Sequence, residues 1–217
     1  MKLEWIKTPK IIKRIFSKHY WDIPNKDNSV YLTFDDGPIP EVTPWVLSEL
    51  EKHEAKATFF CIGENIEKHP QVFRQVIEAG HSVGNHTYNH LNGWNTTIRE
   101  YVKNIEKCQE ILRKTSETSS TKSQLLNLFR PPYGKIRPRQ ARFLRKKGYK
   151  IIMWDVLSAD YDVSLSGEEC LRNIIRNVES GSIIVFHDSL KAFPRLEYIL
   201  PRVLQFLDEK NYCLKTL

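Results

Sequence analysis

Two adjacent carboxylates end an apolar run near the beginning of the chain. Residues 30–34 favour a strand, and Asp35, Asp36, Gly37 and Pro38 follow them directly. Neighbouring carboxylates repel each other, so the pair needs positive charge close by. A divalent cation or a guanidinium group would supply that charge and keep both acids ionised. The motif therefore indicates a functional site at the end of a strand.

Two histidines that are four residues apart offer ligands for such a cation. One helical turn can aim His86 and His90 at the same ion, and Asp36 adds a carboxylate. One carboxylate and two imidazoles leave a coordination position for water, which is typical of a catalytic metal site. Zinc lowers the pKa of bound water enough to make it a nucleophile at neutral pH. Two histidines on a polar surface loop are the alternative.

Hydrolysis by such a water also needs a base and an acid. Asp35 lies beside a candidate ligand and is the candidate base. His187 ends the strand-like run 181–186 and is the candidate acid. A core histidine that donates to a backbone carbonyl is the alternative for His187.

The segment Arg-Pro-Pro-Tyr-Gly at 130–134 predicts a stiff loop. Its prolines fix the direction of the chain, and a backbone N–H from such a loop can stabilise an oxyanion. Arg130 can pair with a carboxylate and keep it ionised; Asp160 is the preferred partner and Asp155 the second. A rigid connector without a catalytic role is the alternative.

These residues follow strand-like runs that alternate with helical patterns. The alternation predicts a parallel α/β fold, and both a closed barrel and an open doubly wound sheet fit it. In either fold, ligands bind beyond the carboxyl ends of the strands, so the polar residues above should converge. The seven predicted strands are 30–34, 57–62, 82–85, 125–129, 149–154, 182–186 and 212–216.

Several helix ends are also visible. Thr43 before Pro44 resembles an N-cap, and Ser166 with Glu169 fits a capping box. The segment 80–84 reads Gly-x-Ser-x-Gly, the spacing of a serine-hydrolase elbow, but that elbow needs a strand before its serine. Here a predicted helix comes first and a strand follows, so a serine hydrolase is disfavoured. The low-complexity segment 115–124 is predicted to be a surface loop.

The composition fits one globular domain. The chain has 217 residues, of which 41% are hydrophobic and 27% charged. It has no apolar run near the roughly 20 residues that a membrane helix needs, and no secretory signal is recognised, so a cytoplasmic or membrane-peripheral monomer is expected. The four cysteines lie far apart and are predicted to be reduced, buried thiols.

The net charge of +7 does not require a nucleic-acid partner, and none is expected, because a lysine-rich soluble surface accounts for it. Residues 1–28 are predicted to be a basic helical extension of a domain that spans 29–217. In this extension Ile11, Ile12, Ile15 and Phe16 interleave with lysine and arginine. A helix packed on the domain with a solvated basic face is preferred, and peripheral contact with a membrane is the alternative.

Five segments taken in order resemble the motifs of the polysaccharide deacetylase family, the NodB homology group of carbohydrate esterase family 4. They read TFDDGP, HTYNH, RPPYG, WDVLSADY and IVFHD, and the resemblance runs from about Val30 to the C-terminus. It implies a distorted (β/α)7 barrel in a single domain. It also implies a divalent metal, with zinc expected and cobalt or another ion as the alternative. The implied reaction removes acetyl groups from sugar polymers.

The resemblance also implies roles by position. Asp35 matches the general base, His187 the general acid and Arg130 the arginine that orients the base; Asp36, His86 and His90 match the metal ligands. The backbone N–H of Tyr133 matches the oxyanion donor, and Pro131 and Tyr161 fall where substrate contacts are expected. The fourth motif departs from the common Asp-Ser-x-Asp-Trp: Leu157 replaces the first acid, Asp160 keeps the second and Tyr161 replaces the tryptophan.

Taken together, the residues and the resemblance predict a metal-dependent hydrolase that removes acetyl groups from a carbohydrate containing N-acetylglucosamine, similar to peptidoglycan or chitin. A metal-activated water, an Asp base and a His acid would carry the reaction. One alternative is the same barrel acting on a non-sugar C–N bond, such as a cyclic amide. Another is a carbohydrate-binding protein with weak or no catalysis.

Overall fold

The structure, a computed structural model, describes residues 5–117 and 127–217. Most of the predicted loop 115–124 and the first two residues of the predicted strand 125–129 lie outside these ranges. The strands are β1 (Ser29–Asp35), β2 (Ala57–Cys61), β3 (Ser82–Asn85), β4 (Leu128–Phe129), β5 (Lys150–Ile151), β6 (Val156–Leu157), β7 (Ile183–His187) and β8 (Cys213–Leu214). The helices are α1 (Lys10–Ile15), α2 (Thr43–Lys52), α3 (Gly63–Lys68), α4 (Pro70–Glu78), α5 (Ile98–Glu117), α6 (Pro138–Lys146), α7 (Gly167–Ile175) and α8 (Phe193–Glu209).

Seven parallel strands form a single curled sheet in the order β5-β4-β3-β2-β1-β7-β6. This half-barrel in one α/β domain confirms the predicted fold. The predicted number of strands, seven, equals the number in the main order of the sheet, but the predicted and the observed strands are not all the same. The predicted strand 212–216 is β8, which pairs with β1 outside the main order, and β6 was not predicted.

The two end strands of the sheet, β5 and β6, are neighbours in the chain. Only residues 152–155 separate them, so the single stretch 150–157 supplies both ends and draws the sheet round on itself. The place where β5 and β6 come together is called the seam below, and the N-terminal segment lies across it. Lys7 forms a bridge with Val156, and Tyr20 forms a bridge with Ile152. The seam therefore depends on residues that precede the first strand.

Strand β1 is buried along its whole length, and its side chains alternate between two environments. Val30, Leu32 and Phe34 belong to the core between the sheet and the helices, where burial stabilises by roughly 1.5–3 kcal/mol per large side chain. The alternate positions Thr33 and Asp35 both contact the guanidinium of Arg130. The period-two pattern thus separates a packing face from a chemical face.

The ends of the helices agree with the sequence in part. The capping box of α7 is confirmed, because Ser166 Oγ accepts from the Glu169 N–H and the Glu169 carboxylate accepts from the Ser166 N–H. Thr43 is the first residue of α2 rather than its N-cap. Helix α4 comes before β3, which is the reverse of the order in a serine-hydrolase elbow. Three cysteines are buried as predicted, but Cys213 is exposed.

Helix α1 corrects the preferred prediction for the N-terminal segment. No residue of the helix is buried, and Ile11 and Ile15 are exposed. Lys13 instead points toward the domain, where it pairs with Asp155 and Asp22. The expected burial of Ile11 and Ile15 is therefore wrong for this helix, whereas Lys10 and Arg14 are exposed as expected. Among the described residues, no helix combines the length and the apolar character that crossing a bilayer requires.

Candidate active site

Four strands deliver the predicted site residues to the carboxyl edge of the sheet. Asp35 ends β1 and His187 ends β7, and the two residues are paired in register. His86 follows β3 directly, and Arg130 follows β4 directly. The predicted convergence of these residues is present in the structure.

Asp36, His86 and His90 come together as a possible metal site. Each offers one ligand atom, and these atoms all lie within 4.8 Å of one another. Asp36 Oδ1 lies 3.6 Å from His86 Nε2 and 3.3 Å from His90 Nε2. The same Oδ1 atom is buried and has no hydrogen-bond partner in the described part of the chain. A buried acceptor facing two ring nitrogens fits a divalent cation, because a cation would satisfy all three atoms.

The other ring nitrogens of the two histidines are occupied. His86 Nδ1 lies 2.8 Å from the carbonyl oxygen of Arg130 and must carry the proton, which leaves a lone pair on Nε2. His90 Nδ1 lies 3.0 Å from the hydroxyl of Tyr133. Burial, together with the neighbouring His90, lowers the pKa of His86 to about 3. His86 is therefore a neutral imidazole at neutral pH, the form that binds a metal.

Arg130 is fully buried, and its partner is Asp35. Its Nη1 donates to Asp35 Oδ1 at 2.7 Å and to Thr33 Oγ1 at 2.7 Å, and its Nη2 donates to the carbonyl of Met153 at 2.9 Å. The guanidinium also lies over the ring of Phe60, 4.2 Å from its centre. The ion pair holds Asp35 in one position.

The acidic partners predicted for Arg130 from residue type were wrong; its carboxylate partner is Asp35, the base that the resemblance has it orient. Asp160 is bound to His187 instead. Asp155 accepts from Lys7 at 2.6 Å and from Lys13 at 2.5 Å. Both acids are buried and paired, but with other cations.

Asp160 holds His187 at two points. Its Oδ1 lies 2.7 Å from His187 Nδ1, and its Oδ2 accepts from the His187 backbone N–H at 2.9 Å. Burial opposes a charge on the imidazole, but the charge and hydrogen bond of Asp160, with further help from Asp36 and Asp35, raise the pKa of His187 to about 9. His187 thus carries a proton at neutral pH, and Nε2 is the nitrogen left free to transfer one.

The remaining predicted residues border this centre. The ring of Tyr133 lies 4.5 Å from that of His90, and the ring of Tyr161 meets that of His187 edge-on at 4.9 Å. Pro131 is buried. Leu157 packs in a small apolar cluster that includes Val185, so this position offers no charge to the site.

Backbone strain is concentrated around the site. In the described part of the chain eight residues other than glycine have positive φ, and five of them lie in loops that follow the strands at this edge: Asp36, Thr87, His90, Tyr133 and Ala159. Such residues adopt this region rarely, and it costs on the order of 1–3 kcal/mol each. The fold thus maintains an unfavourable backbone where it presents the candidate ligands and the candidate oxyanion donor.

Asp188 takes part in the site although the sequence indicated no role for it. Its Oδ1 accepts from the Gly37 N–H at 3.0 Å, and its Oδ2 accepts from the hydroxyl of Thr43 at 2.6 Å. Its own N–H donates to the carbonyl of Asp35 at 3.0 Å. Asp188 therefore fastens the loop after β1 to the loop after β7. Its position directly after His187 was the available signal.

Comparisons with known proteins identify relatives of this chain. The profile of the polysaccharide deacetylase family matches residues 22–152. A peptidoglycan-N-acetylglucosamine deacetylase from Bacillus cereus is 33% identical over 193 residues, which cover 88% of this chain and 87% of the relative. A chitooligosaccharide deacetylase from Azorhizobium caulinodans is 34% identical over 166 residues, 76% of each chain.

A solved structure shows the same architecture. The Bc1960 peptidoglycan N-acetylglucosamine deacetylase superposes with a TM-score of 0.86 at 31% identity, covering 97% of this chain and 95% of that one. The family profile spans more than half of the chain, and the similarity to the Bacillus cereus relative extends over most of both proteins. The chain therefore belongs to the polysaccharide deacetylase family.

Proposed function

We propose that the protein is a metal-dependent N-deacetylase of carbohydrates that contain N-acetylglucosamine. One observation carries the proposal: Asp35 and His187 are paired in register at the ends of β1 and β7, beside the cluster of Asp36, His86 and His90. A base fixed by Arg130, an acid fixed by Asp160 and a cation site thus share one edge of the sheet. The relatives named for deacetylation of peptidoglycan and of chitooligosaccharides support this substrate class.

Asp36, His86 and His90 would hold the metal, and zinc is the proposed ion because it favours two imidazoles with one carboxylate. When bound, it supplies a Lewis acid that polarises the acetyl group and makes water nucleophilic near neutral pH. Cobalt or another divalent ion is the alternative.

The side chains divide the proton transfers between them. Asp35, ionised beside Arg130, takes a proton from the attacking water. The backbone N–H of Tyr133 donates to the acetyl oxygen as negative charge develops on it. His187 gives its proton to the departing amine as the C–N bond breaks. The products are acetate and a free amino sugar.

Exposed aromatic rings near the site support a sugar substrate over a cyclic amide. Trp94 is 54% exposed and Tyr133 is 59% exposed. Lys135 Nζ lies 5.4 Å from the centre of the Trp94 ring and 5.9 Å from that of Tyr133. Trp94 and Tyr133 thus offer flat apolar faces, and Lys135 offers a polar group beside them. A sugar ring has both an apolar face and polar hydroxyl groups, so this surface suits it. Pro131 and Tyr161 are proposed as further substrate contacts.

The organisation of the chain is also proposed. Residues 29–217 would form the deacetylase domain, with residues 1–28 as its extension, and the protein would act as a monomer. A sedimentation measurement at working concentration checks the oligomeric state.

Acetate release from peptidoglycan, chito-oligosaccharides and acetylxylan tests the function, with metal content measured on the same sample. Asp35→Asn should lose most activity, whereas Asp27→Asn, which changes an exposed carboxylate, should not. Full activity after dialysis against a chelator would show that the metal-dependent mechanism is wrong. If the Asp35→Asn variant releases acetate as fast as the parent, a residue other than Asp35 is the base. Release of acetate from none of the three substrates would favour the cyclic-amide or non-catalytic alternatives.

A further inference from the structure

Helix α1 presents apolar side chains to solvent. Ile11 is 59% exposed, Ile15 is 63% exposed and Phe16, directly after the helix, is 45% exposed. Ile11 and Ile15 are four residues apart and so lie on one face of the helix. Clustered exposed apolar residues commonly mark an interaction surface.

Cations share this surface. Lys10 and Arg14 are also four residues apart and exposed, and the exposed Lys18 follows the helix. In the described chain none of these three pairs with a carboxylate. The nearby acids Asp22 and Glu179 are already paired with Lys13 and Lys7. Residues 5–21 contain no acidic residue.

Arg145 adds one more cation close to this region, next to His19. Burial and the nearby guanidinium of Arg145 lower the pKa of His19 to about 4. Arg145 belongs to the last turn of α6. The positive charge around α1 therefore continues onto the neighbouring helix.

The inner contacts fix which way the helix faces. Asp155, fully buried, accepts from Lys7 and Lys13, and Lys7 Nζ also donates to the carbonyl of Asn177 at 2.8 Å. Rolling α1 to bury its isoleucines would remove Lys13 from this carboxylate. Removing one of the two cations from a buried carboxylate is unfavourable. The outward position of Ile11 and Ile15 is thus held by the ion pairs on the other side.

We propose that the α1 face, formed by Lys10, Ile11, Arg14, Ile15, Phe16 and Lys18, binds the surface of a bilayer that contains anionic phospholipids. Isoleucine and phenylalanine enter the boundary between headgroups and acyl chains, while lysine and arginine bind the headgroup phosphates. A second copy of the chain fits less well, because two such faces would bring like charges together.

The anchor of helix α1 lies at the opposite end of the sheet from the candidate active site. The Asp155 carboxylate that anchors Lys13 also accepts from the hydroxyl of Ser182 at 2.6 Å, and Ser182 precedes β7 at its amino end. Asp35 and His187 lie at the carboxyl end. A protein bound through the α1 face would therefore be anchored away from Asp35 and His187, which leaves its active site open to polymer in the aqueous phase.

Sedimentation of the full chain with vesicles of phosphatidylcholine, with and without phosphatidylglycerol, tests the proposal at low and high salt. The parent should bind only the anionic vesicles, and less at high salt. Ile11→Ser/Ile15→Ser and Lys10→Glu/Arg14→Glu should each lower the partition coefficient at least about ten-fold. Two control variants should bind like the parent: Val163→Ser, at another exposed apolar position, and Lys26→Glu/Lys103→Glu, with the same change in charge.

Acetate release from a soluble oligosaccharide should be equal in all five proteins, since none of the changes touches the active site. Three results would overturn the proposal. The first is that the parent fails to bind anionic vesicles. The second is that the isoleucine variant binds as tightly as the parent, which would show that charge alone is responsible. The third is that the parent is a dimer without affinity for vesicles and that the isoleucine variant is a monomer. The deacetylase proposal would survive each of them.

Discussion

The carboxylate of Asp188 occupies the space that a side chain at Gly37 would need. A Cβ on Gly37 would lie 2.0 Å from Asp188 Oδ2, far inside a van der Waals contact. The same carboxylate accepts from the Gly37 N–H, so the close approach and the hydrogen bond belong together. The glycine after Asp35 and Asp36 is thus explained by a residue at the end of another strand.

Gly37→Ala should therefore destabilise the protein by about 1–3 kcal/mol, because the added methyl forces the buried carboxylate away. Unfolding in urea measures this loss. The double variant Gly37→Ala/Asp188→Ala should be less destabilised than the sum of the two single variants, since the clash is gone. Additive losses would show that the close approach is not the cause.

Arg130 serves the site with its side chain and with its backbone. Its guanidinium holds Asp35, and its carbonyl oxygen accepts from His86. Arg130→Met should cost about 3–5 kcal/mol of stability and most of the activity, because a buried carboxylate loses its partner. Zinc affinity, measured by titration, should change much less, because the carbonyl at position 130 remains. A loss of zinc affinity as large as that of His86→Ala would contradict this division.

The pKa of His187 predicts the alkaline limb of the activity profile. The protonated imidazole is the acid, and its pKa of about 9 means that kcat/KM should fall as the pH rises through about 9. Asp160→Asn removes the charge and leaves burial to dominate, so the limb should move to lower pH. Asp162→Asn, a change in the same loop, should leave the limb in place. An unchanged limb in Asp160→Asn would exclude His187 as the titrating acid.

The same ion pair predicts how stability depends on pH. The pKa of His187 is raised in the folded state from an ordinary value of 6.5 to about 9. Its contribution to the free energy of unfolding is therefore fully present below pH 6.5 and is lost as the pH rises through about 9. Asp160→Asn should flatten that part of the stability curve. Chemical unfolding of both proteins across this range measures the difference.

Trp94 should matter for polymers more than for short substrates. Its loop is held in place, since Asn92 Oδ1 accepts from the Trp94 N–H at 2.9 Å and Gln140 Nε2 donates to the carbonyl of Gly93 at 2.9 Å. Trp94→Ala should raise KM for a long glycan several-fold, a loss of roughly 1 kcal/mol of stacking, with kcat unchanged. Phe143→Ala, at another exposed aromatic position, is the matched control. Equal effects on a disaccharide would place Trp94 in the catalytic centre instead.

The sequence predicted the fold and the membership of the site because both follow from local patterns. Apolar runs mark the longer strands, and the polar residue after each run must lie at the same edge of a parallel sheet. Asp35, His86, Arg130 and His187 were placed in this way. Strand β6 was not predicted, because its two residues, Val156 and Leu157, are too few to show the alternation of apolar and polar side chains that marks a strand.

The pairing of the buried charges could not be predicted in the same way. Arg130 and Asp35 are 95 residues apart, and by residue type alone every acid near the predicted edge was an equally good partner; only the family resemblance linked Arg130 to the base. The choice depends on which side of a strand each residue faces. Asp35 shares the inner side of β1 with Thr33, whereas Asp155 lies at the seam, where the lysines of the N-terminal segment reach it.

The seam also makes the stability of the domain depend on the N-terminal segment. Asp155 lies between the two end strands of the sheet. Without residues 1–28 its buried carboxylate would keep, among the described residues, only the hydroxyl of Ser182 as a partner. We expect a chain that begins at residue 29 to melt at a lower temperature than the full chain, and Asp155→Asn to recover part of the loss. The five motifs that identify the family therefore do not delimit the most stable form of the domain, which includes a stretch of chain without any catalytic residue.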